Sequence, residues 1–515
     1  MVIYNPERDA LKVSAEKRGV RLSDREAELL VGLARGTLDG CDRLRAADAF
    51  ELPARYPRTA GTRPVAAENP HNAWVWRCDV TGSGEGPLVG HEVALKDVIP
   101  VAGQPMTAGS AVLEGFTPAF DATVVTRVLD AGGRVTGIAT TEDMCLSGAS
   151  VSASTGQVRN PRDPSRSAGG SSSGVAALVA SGMVDSGIGA DQGGSIRIPS
   201  SLCGVYGLKP TYGLVPYTGC GPIDPSLDHL GPIAGSAEAL ARLLQAIAGY
   251  DGGLDPRQQY RAQTDDYVSV ATQMEGPTLT VGLLVEGFDH EGLSDPDVDA
   301  AIRSLAVRLT ELGHSVVEVS APLHRRAMDV HGSLLLTGAA QYMIGEAGTG
   351  PIGKGFYDER IGSFGVTAME SRGDQLFASV KFAAAVGGYL WDKFGGTFYA
   401  RAQNVAVAMR RQFDALLSEV DVLLMPTTCI QAKRLPDEAL PDIAALELAL
   451  DPALISNTCA FNHTGHPALS IPIPGGNGLP VGAMAVGPWF GEAKLLGLAA
   501  SMERAGLTIR TERAK

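Results

Sequence analysis

The chain has 515 residues, 44% hydrophobic and 19% charged, which is typical of a globular protein with a sizeable core. Its formal net charge of −14 disfavours nucleic acid as a partner, and no run of 18 apolar residues predicts a membrane span. Seven cysteines without a C-x-x-C pair, and a start without a signal-peptide pattern, predict free thiols and a cytoplasmic location.

The first predicted elements are helices over residues 5–50, where apolar residues recur at helical spacing. Residues 53–72 contain four prolines and read as an extended linker. We therefore predict an N-terminal helical arm with its linker over residues 1–72, followed by one large domain over residues 73–515.

From residue 73 onward the pattern alternates between strands and helices, and residues 323–418 form a mainly helical insertion. The sequence predicts helices over residues 121–133, 174–181, 236–249 and 297–312. It predicts strands over residues 91–98, 135–141, 184–191, 279–285, 315–320, 421–426, 468–472 and 481–487. The expected class is α/β, with a large sheet covered by helices.

The first residue that could carry chemistry is Lys96, which follows three apolar residues at the end of a predicted strand. Removal of water disfavours the ammonium form, so a buried amine becomes a usable base near neutral pH. An isolated lysine in this context more often packs its stem and extends its charge to water. Lys96 alone therefore does not indicate a catalytic base, and that interpretation depends on other motifs in the chain.

Two glycine- and serine-rich segments follow. Gly169–Gly174 carries three serines directly before an apolar helix, where free N–H groups and the helix dipole polarise hydroxyls. Asp191–Arg197 places two glycines before Ser195, so that successive N–H groups can point at one oxyanion. Taken alone, either segment is explained as well by a linker or a plain turn.

Three other motifs suggest alternatives. The VALK segment resembles a kinase lysine, but no H-R-D or D-F-G accompanies it. Gly170–Gly174 matches G-x-S-x-G, which would make Ser172 an α/β-hydrolase nucleophile served by His229, His463 or His466, but this leaves Lys96 and Ser195 unexplained. His463 and His466 lack companion ligands, so neither a metal nor another cofactor is expected.

Together these segments resemble the amidase signature family, whose members carry a Lys-Asp pair, a Gly-Gly-Ser-Ser-Gly box and an Asp-x-Gly-Gly-Ser-Ile-Arg-x-Pro box. Lys96 precedes Ser171 by 75 residues and Ser171 precedes Ser195 by 24, as the family requires. Ser173 departs from the glycine usual in the family. Within the family the chain is most similar to bacterial amidases associated with nitrile hydratase, through residues 213–219 and 228–232 and the N-terminal arm.

The resemblance implies the amidase-signature fold, a large mixed sheet sandwiched by helices, and a homodimer supported by the arm. It implies a relay in which Ser195 attacks a small-molecule amide and its proton passes to Ser171, whose peptide bond is cis in this family, and on to a neutral Lys96. Backbone N–H groups around Gln192, Gly193, Gly194 and Ser195 would bind the oxyanion. The remaining implied roles are support by Ser172, Asp191 and Arg197, and substrate contact by Leu146, Gly170 and Gln192.

The expected reaction is hydrolysis of a linear carboxamide to the acid and ammonia. Hydrolysis of carbamates, anilides or aryl esters stays open, because only the pocket would differ. A glutaminase component of a tRNA-dependent amidotransferase is disfavoured by the charge of −14, and a non-catalytic relative is disfavoured by intact Lys96, Ser171 and Ser195.

Overall fold

The computed structural model describes residues 6–258, 264–274, 276, 278–350, 353–437 and 443–511. Contacts divide the chain into two compact units, Met1–Glu51 and Leu52–Lys515. Within the described residues, no helix is both long enough and apolar enough to cross a membrane.

The first unit consists of two helices that pack on each other, α1 (Arg8–Glu16) and α2 (Asp24–Arg45). Helix α2 begins where the sequence supplies a capping box. The Ser23 side chain accepts from the Glu26 N–H at 3.3 Å, and Glu26 accepts from the Ser23 N–H at 2.8 Å. These two bonds satisfy N–H groups that a helix start leaves without partners.

The second unit is a mixed α/β structure. Its strands are β1 (Trp74–Thr81), β2 (Glu92–Lys96), β3 (Arg134–Ala139), β4 (Arg159–Asn160), β5 (Asp163–Ser167), β6 (Ser186–Asp191), β7 (Tyr206–Lys209), β8 (His229–Ala234), β9 (Thr280–Leu284), β10 (Ser315–Val319), β11 (Val422–Pro426), β12 (Ala468–Pro474) and β13 (Pro480–Val486).

Helices precede, separate and cover these strands. They are α3 (Thr123–Asp130), α4 (Ser173–Ala180), α5 (Arg197–Cys203), α6 (Ala237–Ile247), α7 (Tyr267–Thr272), α8 (Pro296–Glu311), α9 (Ala327–Gly338), α10 (Glu359–Arg372), α11 (Ala378–Phe382), α12 (Gly388–Phe394), α13 (Thr397–Leu417), α14 (Ile443–Ala449), α15 (Pro452–Ile455), α16 (Ala460–Thr464) and α17 (Glu492–Arg504). Two π-helical segments, Ala339–Gly345 and Ala383–Gly387, continue α9 and α11.

In the described part of the chain, eleven strands form one sheet in the order β1-β3-β2-β6-β8-β7-β12-β13-β11-β9-β10. Strand β2 runs parallel to both β3 and β6. Beyond β6, strand β8 is antiparallel to β6, and β7 is antiparallel to β8. All residues of β2 and β6 except Glu92 are buried, as expected of strands covered on both faces. The predicted α/β class and mixed sheet are confirmed.

Several elements lie outside the predicted set: β1, β7, β8, α5 and α17. Strand β8 contains Gly231 and Pro232 and lies centrally, where its register with β6 pairs Ile188 with Pro232. Glycine and proline are poor indicators of a strand, so β8 forms because of its pairing with neighbouring strands and not because of its local sequence. Within the second unit, Arg58 and Thr62 form isolated antiparallel bridges to Val80 and Arg77 of β1, so this part of the predicted linker is paired to the sheet.

Candidate active site

The candidate site lies at the carboxyl edge shared by β2 and β6. Lys96 is the last residue of β2 and Asp191 the last of β6, and these neighbouring strands are parallel. Parallel strands present their carboxyl ends at the same edge of a sheet, where α/β enzymes commonly bind ligands. Helix α4 starts at the same edge, so the three segments singled out in the sequence converge.

Lys96 and Ser171 are in direct contact. The Lys96 Nζ lies 2.7 Å from the Ser171 Oγ and 3.1 Å from the Ala190 carbonyl oxygen, to which it donates. Both side chains are fully buried. The Gly170–Ser171 peptide bond is cis, and the Thr141 hydroxyl donates to the Ser171 carbonyl at 2.7 Å. The contact with the amine and the hydrogen bond from Thr141 together hold Ser171 in place.

Burial controls the charge of Lys96. Removal from water lowers the pKa of its ammonium group below the ordinary value, while Cys145, Asp191 and Glu142 oppose this shift. Glu142 is itself fully buried, and burial raises the pKa of its carboxyl group although Ser152 and Val151 donate to it. A neutral Lys96 amine is the form able to accept a proton from Ser171.

The turn after β6 presents backbone N–H groups. In the described residues, no acceptor is found for the N–H groups of Gly193, Gly194 and Ser195. Gly194 has φ +150°, and a Cβ there would collide with the Thr458 hydroxyl, so the turn requires glycine. Three unpaired donors in one turn provide the elements of an oxyanion site.

Asp191 and Arg197 hold the two ends of that turn. Both side chains are fully buried, and their ion pair uses two contacts of 3.0 Å. Arg197 also donates to the Thr458 carbonyl and to Asn462, and Asp191 accepts from the Ile196 N–H at 3.0 Å. Burial raises the pKa of Asp191, but the Arg197 charge and these hydrogen bonds outweigh it and leave a net lowering.

Ser172 links the two serine segments. Its N–H donates to the Ser195 carbonyl at 3.1 Å, and its hydroxyl donates to the Ala190 carbonyl at 3.2 Å. The three candidate histidines bond elsewhere among the described residues: to Leu227 for His229, to His331 for His463, and to Thr464 and Asp414 for His466. The alternative with Ser172 as an α/β-hydrolase nucleophile is therefore not supported.

A cavity of about 350 Å³ opens beside the half-buried Ser195. Leu146, Gln192 and Gly193 line it together with Ser195. Most of its other walls are apolar: Ile198, Ile223, Met328, Leu335, Leu336, Phe382, Ala383, Leu450, Leu454 and Ile455. Gly170 is not among the described lining residues; it lies buried against Ser147 and Glu142, so its contact with substrate stays a prediction.

The side chain of Gln192 is held by a buried polar network. Its Nε2 donates to the Tyr217 hydroxyl and to Asp228 Oδ1, both at 3.0 Å, and Asp228 pairs with Arg257 at 3.0 Å. The Gln192 Oε1 is buried without a partner among the described residues. Gln192 lines the cavity, and this oxygen is left with an unused acceptor position.

Three residues of this region have no counterpart in the sequence analysis: Glu142, Cys145 and His331. Glu142 and Cys145 follow β3, which is parallel to β2 and ends at the same edge. His331 comes from α9, more than 100 positions after Ser195 along the chain, and lines the cavity. Glu142 and Cys145 could have been placed beside Lys96 only from the strand order, because β3 is the parallel neighbour of β2.

The comparisons with known proteins identify the family of this chain. The sequence profile of the Amidase family matches residues 67–496. An enantioselective amidase of Rhodococcus rhodochrous is 44% identical over 437 residues, which cover 84% of this chain and 82% of that protein. A glutamyl-tRNA(Gln) amidotransferase component from Synechococcus sp. strain CC9605 is 36% identical, with coverage of 82% and 84%.

A solved structure is similar along most of its length. The corresponding glutamyl-tRNA(Gln) amidotransferase component of Thermotoga maritima has a TM-score of 0.69 and 27% sequence identity. The alignment covers 87% of this chain and 92% of that chain. The similarity therefore extends well beyond the three sequence boxes.

Proposed function

Because this chain belongs to the amidase signature family and hydrolyses amides, we propose that it does so through an acyl intermediate on Ser195. The observation that carries the proposal is the 2.7 Å contact between the Lys96 amine and the Ser171 hydroxyl, at the edge where Ser195 faces the cavity. A serine nucleophile needs such a base, because a serine hydroxyl that keeps its proton is a poor nucleophile.

In the first step the Ser195 oxygen bonds to the amide carbonyl carbon. The Ser195 proton passes to the Ser171 oxygen, and the proton of Ser171 passes to the neutral Lys96 amine. The lowered pKa of Lys96 supports this role, because a permanently charged ammonium cannot accept a proton. The carbonyl becomes a tetrahedral oxyanion.

The oxyanion binds to the N–H groups of Gly193, Gly194 and Ser195, with Gln192 at the start of the same turn. In the described residues these three groups have no other acceptor. Each such donor is worth roughly 3–4 kcal/mol in the transition state. Asp191, Arg197 and Ser172 keep the turn in place without transferring protons, as their buried contacts suggest.

The second half of the reaction reverses the relay. The proton returns from Lys96 through Ser171 to the amide nitrogen, the C–N bond breaks, and ammonia leaves an ester on Ser195. Water then loses a proton to the same relay and attacks the ester carbonyl. Release of the carboxylic acid restores the Ser195 hydroxyl and the neutral amine.

We further propose that the acyl group is apolar, aryl or branched alkyl. The cavity of about 350 Å³ is near the lower end for small-molecule sites, and its walls are mostly aliphatic. The unpaired Gln192 Oε1 would accept from the N–H₂ of the substrate carboxamide. Among the described lining residues a charged acyl group finds no free counter-ion, because they include no arginine or lysine and their carboxylate, Asp451, already pairs with Lys433.

A panel of substrates tests this specificity. Primary amides of aryl and branched alkyl acids should yield ammonia and acid in equal amounts, with kcat/KM at least about tenfold above acetamide. Anilides, carbamates and aryl esters with the same acyl group measure leaving-group preference. A Ser195→Ala variant should release nothing from any of them. Preference for acetamide or for charged amides would overturn the apolar-acyl assignment.

Glutamine hydrolysis within a tRNA-dependent complex is the second candidate, because relatives of that function are 36% identical. Glutamine carries an ammonium and a carboxylate on the acyl side. Among the described lining residues there is no arginine or lysine to hold that carboxylate. Glutaminase activity above the activity on aryl amides would favour this candidate instead.

We also propose a homodimeric, cytoplasmic enzyme. Helix α2 exposes Leu29, Leu30, Leu33 and Leu44, and apolar side chains in such a stripe are typical of an association surface. All seven cysteines are unpaired, which is usual in a reducing compartment.

A further inference from the structure

Four sulfur and nitrogen donors lie between α9 and α16, beside the catalytic cavity. Met328 and His331 are three residues apart on α9, and Cys459 and His463 are four apart at the start and within α16. Residues at these spacings share one helix face, and the two helices pack together. Each helix thus directs one sulfur and one imidazole toward the other.

The distances within this cluster suit a single ion. The His331 Nδ1 lies 3.1 Å from the His463 Nε2, and the Cys459 Sγ lies 3.9 Å from the Met328 Sδ. The donor atoms of His331, Cys459 and His463 all lie within 4.8 Å of one another. Metal–ligand bonds of 2.0–2.3 Å in a tetrahedron separate their donors by roughly 3.3–3.8 Å. Small side-chain adjustments would therefore bring the donors to bonding distance.

The chemical state of the donors also suits a metal. The 3.1 Å contact between the His331 Nδ1 and the His463 Nε2 requires that at least one of these two nitrogens carries a lone pair instead of a proton. Neutral imidazole is the form that binds metals. Cys459 is fully buried, and its thiol would lose a proton on binding.

The donor set selects the kind of ion. Two imidazoles, a thiolate and a thioether suit thiophilic ions such as Zn²⁺ and Cu⁺, whereas Mg²⁺ and Ca²⁺ prefer oxygen ligands. Of the two neighbouring histidines noted in the sequence, only His463 belongs to this set, and His466 is not one of the ligands. His463 finds its companions in Cys459, one turn earlier, and in His331 on another helix.

The cluster has an entry route and a connection to the reaction. Met328 and His331 line the same cavity as Ser195. The His331 ring packs so closely on the turn after β6 that a Cβ on Gly193 would lie 2.6 Å from its Cε1. An ion bound to the His331 Nδ1 would hold this ring against the turn that carries the proposed oxyanion donors, so that the turn could not adjust to a substrate.

We propose that His331, Cys459 and His463, with Met328, form a binding site for a thiophilic metal ion, and that occupancy of this site inhibits amide hydrolysis. The expected stoichiometry is one ion per chain. The ion takes no part in the reaction, and the metal-free protein is the active form.

The first experiment measures metal binding directly, without relying on enzyme activity. Metal-free full-length protein is titrated with Co²⁺ as a spectroscopic stand-in for Zn²⁺, with Zn²⁺, with Cu⁺ under reductant, and with Mg²⁺. Cys41 is the exposed thiol, so a Cys41→Ser background removes a competing ligand. One equivalent of Co²⁺ should give a thiolate-to-cobalt charge-transfer band, and Zn²⁺ should displace it. Mg²⁺ should have no effect.

Two variants and one control assign the site. Cys459→Ser should abolish the charge-transfer band, and His463→Gln should weaken Zn²⁺ and Cu⁺ binding at least tenfold and relieve inhibition equally. Cys429→Ser, which changes another buried cysteine, should bind as the parent does. Absence of a charge-transfer band in the parent protein, or unchanged binding by folded Cys459→Ser and His463→Gln, would overturn the proposal. Neither result bears on the Ser195 mechanism.

Discussion

At the scale of single residues, the site depends on one buried lysine. Lys96 is fully buried, and its amine lies between the Ser171 hydroxyl and the Ala190 carbonyl, without a carboxylate in direct contact among the described residues. A carboxylate within bonding distance would stabilise the ammonium, so this arrangement favours the neutral amine. The charged partner that would otherwise pair with it, Asp191, is instead bound by Arg197.

The pH dependence follows from the direction of the Lys96 shift. Since only the neutral amine can accept a proton, the proposed mechanism predicts that activity is retained above the lowered pKa of Lys96 and is lost as the pH falls through it. Lys96→Ala should lower kcat by about 10²–10⁴-fold, and the remaining activity should rise toward higher pH as solvent hydroxide replaces the base. Stopped assays of ammonia release across the pH range measure both effects.

Two further variants make this test specific. Lys96→Arg keeps a cation that does not deprotonate, so it should stay inactive at every pH at which the protein is folded. Lys494→Ala removes an exposed lysine paired with Asp421 and should leave the profile unchanged. Retention of the parental pH profile in folded Lys96→Ala would show that another group is the base.

At the scale of elements, the turn joining β6 to α5 lies between the proposed relay and the cavity. Its N–H groups need an orientation that only small residues permit, since Gly193 packs on His331 and Ile455 and Gly194 packs on Thr458 and Ile198. Helices α9 and α15 therefore limit the conformation of the turn by packing against it. The Asp191–Arg197 ion pair holds its two ends together.

Gly193→Ala tests this restriction. The new Cβ would lie 2.6 Å from the His331 ring and 2.8 Å from Ile455, so the turn must shift. Displacement of an N–H donor by about 1 Å should lower kcat by up to roughly 10²-fold, with a smaller change in KM. Steady-state kinetics on a good aryl amide separate the two parameters.

Gly476→Ala is the matched control, because a Cβ at Gly476 meets nothing within 4 Å. It should leave kcat and KM unchanged. Unaltered kinetics in Gly193→Ala as well would mean that the donors of this turn do not bind the oxyanion.

Elements with strong periodicity were predictable from the sequence, and elements set by distant pairing were not. Strands β2, β6, β9 and β10 and helix α8 fall within one or two residues of the predicted bounds, because apolar runs and helix caps mark them locally. Strand β8 escaped prediction because Gly231 and Pro232 interrupt its pattern, and sheet neighbours supply its pairing.

The same contrast holds within the site. Lys96, Ser171 and Ser195 were predicted from spaced boxes, and the structure brings their three segments to one edge of the sheet. His331 lies in the helical region after residue 323, where no motif marks it. Its role as a cavity wall depends on how α9 packs over the turn, which sequence spacing does not encode.

At the scale of the whole molecule, the proposed dimer rests on an exposed apolar stripe of the N-terminal unit. On α2, Leu29 and Leu33 are each more than 60% exposed and lie four residues apart, so they share a face. The opposite side of the same helix buries Ala27 completely. Exposed leucines in a continuous stripe are costly unless another surface covers them.

A double variant, Leu29→Gln with Leu33→Gln, tests the dimer. The parent protein should sediment at about twice the chain mass of 53.5 kDa, and the variant at the mass of one chain. Glu28→Gln, an exposed change on the same helix, should remain dimeric. A monomeric parent at micromolar concentration would contradict the proposed association.

The central claim is that the acyl group is carried by Ser195, and mapping the intermediate tests it most directly. The enzyme is mixed with an aryl amide, quenched in acid within one turnover, digested and analysed by mass spectrometry. The account predicts the acyl group on the Ser195 hydroxyl, with none on Ser171 or Ser172, and no acylation or turnover in folded Ser195→Ala. Acylation of another serine, or hydrolysis at a near-parental rate by Ser195→Ala, would contradict it.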